Sequence, residues 1–241
     1  MTLAPAPLPP QTDKRRYVRE MFSAIAPRYD LLNHLLSLNI DRWWRRKAVA
    51  RLGWEARVPG LFLDACAGTL DLAAELANRR GFTGRVVAAD FAPPMLRRGA
   101  GKGAGGRLRV AAADALALPF RDAAFDGVTV GFGVRNLEDL DAGLRELRRV
   151  LKTGARLVIL DFTTPPSAPL RALYYLYFRW VLPLVGRVVS RHPTAYAYLP
   201  ASVAAFPPPR GLAARMAGAG FRDCDFRLLT GGIAAIHWGQ R

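Results

Sequence analysis

Cysteine is nearly absent from this chain of 241 residues. Cys66 and Cys224 stand far apart, which excludes a disulfide framework and fits a reducing compartment. The three histidines, His34, His192 and His237, have no metal-ligand spacing, so no metal is expected. Acidic residues are scarce too: 19 Asp+Glu against 35 Lys+Arg, most of them Arg, leave a net charge of +16. That excess points to an anionic partner, nucleic acid or an acidic membrane surface, or else to the solubility of an Arg-, Ala- and Gly-rich chain. Long apolar runs are missing. The best candidate, Leu170 to Ser190, is broken by Arg171, Arg179, Pro183 and Arg187 and is rejected as a membrane span. Met1 to Pro10 has neither a basic start nor an apolar centre, so residues 1–12 are expected to form a disordered tail rather than a signal peptide.

What is present is a core. Hydrophobic residues make up 51% of the chain, enough for one domain over 13–241. Its most informative stretch is Leu63-Asp64-Ala65-Cys66-Ala67-Gly68-Thr69-Leu70-Asp71-Leu72, preceded by Leu61-Phe62. An apolar strand runs into a small-residue turn and then a helical pattern. A second strand, Arg85 to Ala89, closes on Asp90. Strand, turn, helix and a closing acid form a nucleoside-binding layout. Gly68 and Thr69 let the backbone approach a ligand, and Asp90 offers acceptors to a ribose diol. Cys66 fills a turn position that needs a small residue, which argues against a nucleophile.

Strands are expected near 61–65, 85–90, 107–112, 125–131 and 155–161, with helices near 70–80, 93–100 and 138–150. Regular alternation predicts an α/β fold with a mostly parallel sheet. Phe221 to Leu229 and Ile233 to Trp238, joined by Thr230-Gly231-Gly232, read as a hairpin that adds an antiparallel strand. Residues 13–55 form a helical N-terminal cover, kinked at Pro27, with Trp43 and Trp44 burying against the body. An insert over 163–210 reads as an apolar cover on the ligand-binding edge or as a packed helical pair.

A parallel sheet that ends in an antiparallel hairpin resembles the class I S-adenosylmethionine methyltransferases, a Rossmann-like fold of seven strands. Asp114-Ala115, following the third strand, sits where such enzymes bind adenine. Tyr29-Asp30-Leu31-Leu32-Asn33, Ser37 and Trp44 are similar to the first signature of the ubiquinone/menaquinone biosynthesis C-methyltransferases. Phe132-Gly133-Val134-Arg135-Asn136, the stretch Arg149 to Thr163 and the hairpin to Gly239 resemble further parts of that family. The resemblance covers Asp13 to Gly239. Departures are Ala67 and Leu70 in the first turn, Asp41 where the family has His, and Gly131 where it has Ser. Thr153-Gly154-Ala155 and Asp161-Phe162-Thr163 stand for Pro-Gly-Gly and Glu-Phe-Ser. Leu70 is expected to narrow the cofactor pocket.

The resemblance implies S-adenosyl-L-methionine as cofactor, with Gly68, Thr69, Asp90, Asp114 and Ala115 binding it and Phe91 forming one wall. It implies C-methylation of a polyprenyl hydroquinone: demethylmenaquinol first, or 2-polyprenyl-6-methoxy-1,4-benzoquinol, or both. Arg135 is assigned to the phenolate that precedes attack, since a fixed cation at the sheet's carboxyl edge stabilises it. Asn136 orients the hydroxyl or its water; the alternative is that both residues cap the next helix. Tyr29 either closes the site or packs at a helix start. Asp71 is either a base or a helix-start acceptor. The prenyl tail and the arginines together imply a peripheral association of this cytoplasmic chain with an anionic bilayer. Two rivals stand beside this reading. A nucleic-acid methyltransferase would show an Asn/Asp-Pro-Pro-aromatic turn after strand four, which Phe132 to Asn136 does not supply. A non-catalytic scaffold of the quinone pathway would fail to bind the cofactor.

Overall fold

The computed structural model describes residues 11–181 and 193–241. Of the tail expected over 1–12, residues 1–10 lie outside the described residues, and Gln11 and Thr12 instead open the first helix; the part of the insert over 182–192 lies outside the described residues as well. Seven strands, β1 (Leu61–Ala65), β2 (Arg85–Asp90), β3 (Leu108–Ala112), β4 (Phe125–Gly131), β5 (Leu151–Phe162), β6 (Arg222–Leu229) and β7 (Ala234–Gln240), form one sheet. Their order is β3-β2-β1-β4-β5-β7-β6. Strands β1 to β5 are parallel, and β7 enters between β5 and β6, antiparallel to both. Central strands are buried on both faces, which is why β1 and β4 read as near-continuous apolar runs.

Helices cover the two faces. On one side α3 (Ile40–Leu52) and α4 (Asp71–Ala77) bring Trp44, Val49, Leu52 and Leu76 onto Phe62, Val86 and Val158. On the other, α6 (Leu140–Val150) and the late helix Pro209–Gly218 bring Leu144, Leu147, Leu212 and Met216 onto Leu63, Val128 and Ile159. α5 (Pro93–Arg98) follows β2. Chain order reverses between β1 and β4, so the crevice for a ligand opens at their carboxyl ends.

Four helices roof that crevice: α1 (Gln11–Ile25), α2 (Tyr29–Leu36), α7 (Ala168–Leu176) and α8 (Pro193–Ala205). They meet over Val18, Met21, Tyr174, Phe178 and Tyr198. Pro27 sits in the short turn Ala26–Arg28 between α1 and α2, as its missing N–H demands.

Two details depart from expectation. β5 starts at Leu151, directly after α6, because Gly154 adopts φ +72° and its N–H reaches the carbonyl of Arg241 at 2.8 Å. That bulge absorbs residues whose sequence reads as a linker. Trp44 is buried but Trp43 is 40% exposed. Adjacent helical residues point about 100° apart, so only one of the pair faces the body.

Candidate active site

The turn after β1 is built from within. Asp64 is buried at the end of β1, and its carboxylate accepts the Thr129 hydroxyl at 2.8 Å and the Ala73 N–H at 3.0 Å. Burial pushes its carboxyl up to about 7. This fixes the entry to α4. Gly68 turns with φ +52° and donates its N–H to Asp90 at 2.8 Å. The other Asp90 oxygen accepts the Ala92 N–H at 2.8 Å. Burial pushes the Asp90 carboxyl up, and these backbone donors oppose the shift.

Gly68 and Asp90 open onto a cleft with Phe91, Met95, Asp114, Ala115 and Gly131. A Cβ on Gly133 would strike Cys66 at 2.4 Å, so this floor requires glycine. Asp114 receives the Leu116 N–H at 3.0 Å and the Arg15 guanidinium at 2.6 Å. α1 therefore straps the cleft from above. Lys14 adds two bonds, to the carbonyls of Leu137 at 2.6 Å and Arg135 at 3.1 Å. An acid held at the end of β2, a wide-angle glycine turn and an apolar wall fit an adenosine moiety: acceptors for a diol, flat contact for a base.

A second, larger cavity of about 400 Å³ lies alongside, and Phe22, Tyr29 and Phe132 belong to both walls. Trp44, Phe162, Tyr174, Tyr177, Phe178 and Tyr198 complete an aromatic chamber. Arg135 reaches its wall from the turn Val134–Asn136, after β4. Its guanidinium donates to Asp161 at 2.6 Å and to the Phe132 carbonyl at 2.6 Å. Burial disfavours the charge on Arg135, but Asp161, together with Tyr29 and Tyr198, more than offsets this. Burial also holds the Tyr29 phenol protonated.

A chain of charges runs from the turn after β1 to the wall of the aromatic chamber, which Ser37, Asp41 and Arg45 help to line. Thr69 donates its hydroxyl to Asp30, Lys102 bridges Asp30 and Asp71 at 2.6 Å each, and Arg45 joins Asp71 at 3.3 Å to Asp41. Asp41 accepts Ser37 at 2.7 Å and meets His34 at 2.9 Å. Ligand atoms of His34, Asp41 and Asp71 lie within 4.8 Å of one another. The Arg45 guanidinium bridges their two carboxylates, which makes the group an ion-pair cluster.

The structure brings Gly68, Asp90, Asp114, Ala115, Phe91 and Tyr29 together at the cleft. It corrects three expectations. Thr69 is 2% exposed and spends its hydroxyl on Asp30, so it holds α2 to the turn instead of facing the cleft. Leu70 does not narrow the pocket: at φ +69° its side chain is driven into the core beside Leu72 and Leu76. Asp71 is tied up by Lys102 and Arg45, away from both chambers. Asn136 lines the cleft rather than the aromatic chamber, and its amide joins the Phe132 carbonyl at 3.3 Å and the Tyr198 hydroxyl at 3.1 Å. Sequence reading missed Arg15, Lys102 and the partnership of Arg135 with Asp161.

The ubiE/COQ5 methyltransferase family matches residues 11–241. The chain belongs to this family. It is thus an S-adenosylmethionine-dependent methyltransferase. The enzyme is 52% identical to the demethylmenaquinone methyltransferase of Thermus thermophilus, over 92% of this chain and 100% of that protein. It is 45% identical to the ubiquinone/menaquinone biosynthesis C-methyltransferase UbiE of Geobacter sulfurreducens, over 95% and 90%. A crystal structure of a SAM-dependent methyltransferase from Thermotoga maritima shares the fold, with TM-score 0.65 and 17% identity over 92% of this chain and 98% of that one.

Proposed function

We propose that the enzyme methylates a ring carbon of a polyprenyl hydroquinone, with demethylmenaquinol the preferred acceptor and 2-polyprenyl-6-methoxy-1,4-benzoquinol the second. The aromatic chamber carries this reading. It is large, almost wholly apolar, and shares Phe22, Tyr29 and Phe132 with the cofactor cleft. A flat ring stacks among such side chains with one edge toward the methyl donor. The name of the Thermus relative supports the naphthoquinol over the benzoquinol.

S-adenosylmethionine supplies an electrophilic sulfonium methyl when bound. The chain holds its nucleoside with Gly68, Asp90, Asp114 and Ala115. Loss of the acceptor's hydroxyl proton would load electron density onto the adjacent ring carbon; that carbon would take the methyl as the carbon–sulfur bond breaks to leave S-adenosylhomocysteine, and would then lose its own hydrogen as a proton to restore the ring. We assign Arg135 to that oxygen as a charged hydrogen-bond donor. Because Asp161 balances its charge, its contribution is that of a directed donor more than of a free cation. One pKa unit of phenol stabilisation is worth about 1.4 kcal/mol. Tyr29, protonated at the boundary of the two chambers, closes the reacting edge from water. Asn136 holds the turn after β4 and the cleft wall.

The chamber's mouth supports a bilayer-facing role. Leu38, Ile40 and Leu173 line the chamber and are exposed, and Leu31, Leu35, Leu176 and Trp180 on the same two ends are exposed as well. No helix among the described residues is long and apolar enough to cross a membrane. An apolar rim on a chain of charge +16 suits peripheral docking on anionic lipid, with the prenyl tail passing out through the mouth.

The deciding assay uses labelled S-adenosylmethionine with chemically reduced demethylmenaquinol and methoxybenzoquinol side by side. Label in menaquinol is expected. Label in neither, with the cofactor bound, overturns the acceptor class. Vesicle co-sedimentation that ignores acidic lipid removes the electrostatic half of the docking.

A further inference from the structure

A third cavity, a polar groove of about 410 Å³, runs among α1, α6, α8 and the helix Pro209–Gly218. Lys14, Glu138, Asp139, Asp141, Ser202 and Arg215 give it its polar wall. Arg135 and Tyr198 line both this groove and the aromatic chamber, so they form the partition between them. A guanidinium only donates and keeps its charge, so Arg135 cannot pass a proton across. A hydroxyl both accepts and donates, so Tyr198 can. Its hydroxyl is located by a hydrogen bond to Oδ1 of Asn136 at 3.1 Å, and Asn136 lines the cofactor cleft. The Asn136 amide donates in turn to the carbonyl of Phe132, a residue that borders cleft and chamber alike. The Tyr198 hydroxyl thus stands where cleft, chamber and groove meet.

Placing a sulfonium methyl on a ring carbon frees one proton per turnover. The chamber wall holds no unpledged base for it. Asp41 is the one carboxylate that lines the chamber among the described residues, and Ser37, His34 and Arg45 already hold it. We propose that the polar groove is the port through which this proton reaches water, with the Tyr198 hydroxyl as its relay. The proposal rests on the chamber being the acceptor site. The acceptor's O–H bond breaks as the Tyr198 oxygen takes the proton, and the electron pair stays on the acceptor's oxygen. Tyr198 withdraws its own proton from Asn136 and hands it to water in the groove. The phenol is neutral before and after the step, in keeping with burial that pushes its pKa up to about 12.

The test uses the full chain with S-adenosylhomocysteine bound and 1-naphthol at saturation. This phenol becomes a strong acid on photoexcitation, so its emission reports whether its proton finds an exit. Wild type is compared with Tyr198→Phe and with Ala205→Trp, which plugs the groove from an exposed position outside the chamber wall. Ala204→Trp, exposed and lining neither cavity, is the control. Wild type is expected to give naphtholate emission. Tyr198→Phe and Ala205→Trp should shift it toward the neutral form, and Ala204→Trp should match wild type. In methyl transfer to reduced demethylmenaquinol, the same two variants should lower kcat roughly tenfold or more and raise its solvent deuterium isotope effect. Slower transfer by Tyr198→Phe with unchanged emission and isotope effect would show that Tyr198 only props Asn136, and would overturn the relay. An effect of Tyr198→Phe without one of Ala205→Trp would overturn the port. Emission that depends on both residues, with no quinol methylated, would uphold the port and sink the acceptor reading alone.

Discussion

Arg135, in the turn that follows β4, meets Asp161 near the end of β5 at 2.6 Å, with the residues 8% and 1% exposed. Arg135 brings charge to the chamber wall, as do Asp41 and Arg45, and its pairing with Asp161 is also structural. Removing one member strands a charge in a low-dielectric interior. Asp161→Ala should therefore lower unfolding stability by about 3–5 kcal/mol in a denaturant titration. Replacing both, Arg135→Met with Asp161→Leu, should restore most of that stability while methyl transfer stays lost. Recovery of activity in the double variant would remove Arg135 from the chemistry.

Asp90 accepts two backbone N–H groups and still faces the cleft with free lone pairs. Asp90→Ala should weaken S-adenosylmethionine binding by at least tenfold, since a hydrogen bond to a charged group is worth about 1.5–3 kcal/mol. Titration calorimetry reads this directly. An unchanged affinity would mean the acid serves only the turn.

Arg15 lies largely in solvent, and its ion pair with Asp114 spans the cleft. Exposed pairs contribute at most about 1 kcal/mol to folding. Arg15→Ala should leave the melting temperature nearly unchanged and speed release of S-adenosylhomocysteine in stopped-flow. A large stability loss with unaltered release would recast the pair as a fold contact.

His237 on β7 is buried and donates from Nε2 to the Pro209 carbonyl at 3.0 Å. Burial lowers its pKa from 6.5 to about 4. The unfolded chain then takes up a proton at higher pH than the folded one. Its contribution to stability is intact above 6.5 and is lost as pH falls toward 4. Asp64 runs the other way: its carboxyl, raised from 3.8 to about 7, favours the fold at low pH and less so as pH rises through that span. His237→Gln should flatten the acid limb of a stability-versus-pH curve without altering its alkaline side. A limb that persists in the variant would put the titration elsewhere.

The sheet was legible because its signals are local. Asp90 closing a strand, Gly68 in a small-residue turn and Thr230-Gly231-Gly232 between two strands each announce their geometry within a few residues. What escaped depends on partners far along the chain. Thr69 turns to Asp30 across 39 positions, and Arg135 to Asp161 across 26. Neither pairing has a periodicity to read. Leu70 misled for a different reason. Its position after a glycine-containing turn looks ligand-facing, but a left-handed φ of +69° swings the side chain inward. Trp43 and Trp44 look alike in sequence and part company only when the helix acquires a neighbour.

Helix α1 touches both chambers: Arg15 and Phe22 border the cleft, and Met21, Phe22 and Ile25 border the aromatic cavity. One helix is therefore shared by two cavities of different chemistry, so a displacement of α1 would open the cleft and the aromatic chamber together, and neither could be emptied past α1 without disturbing the other.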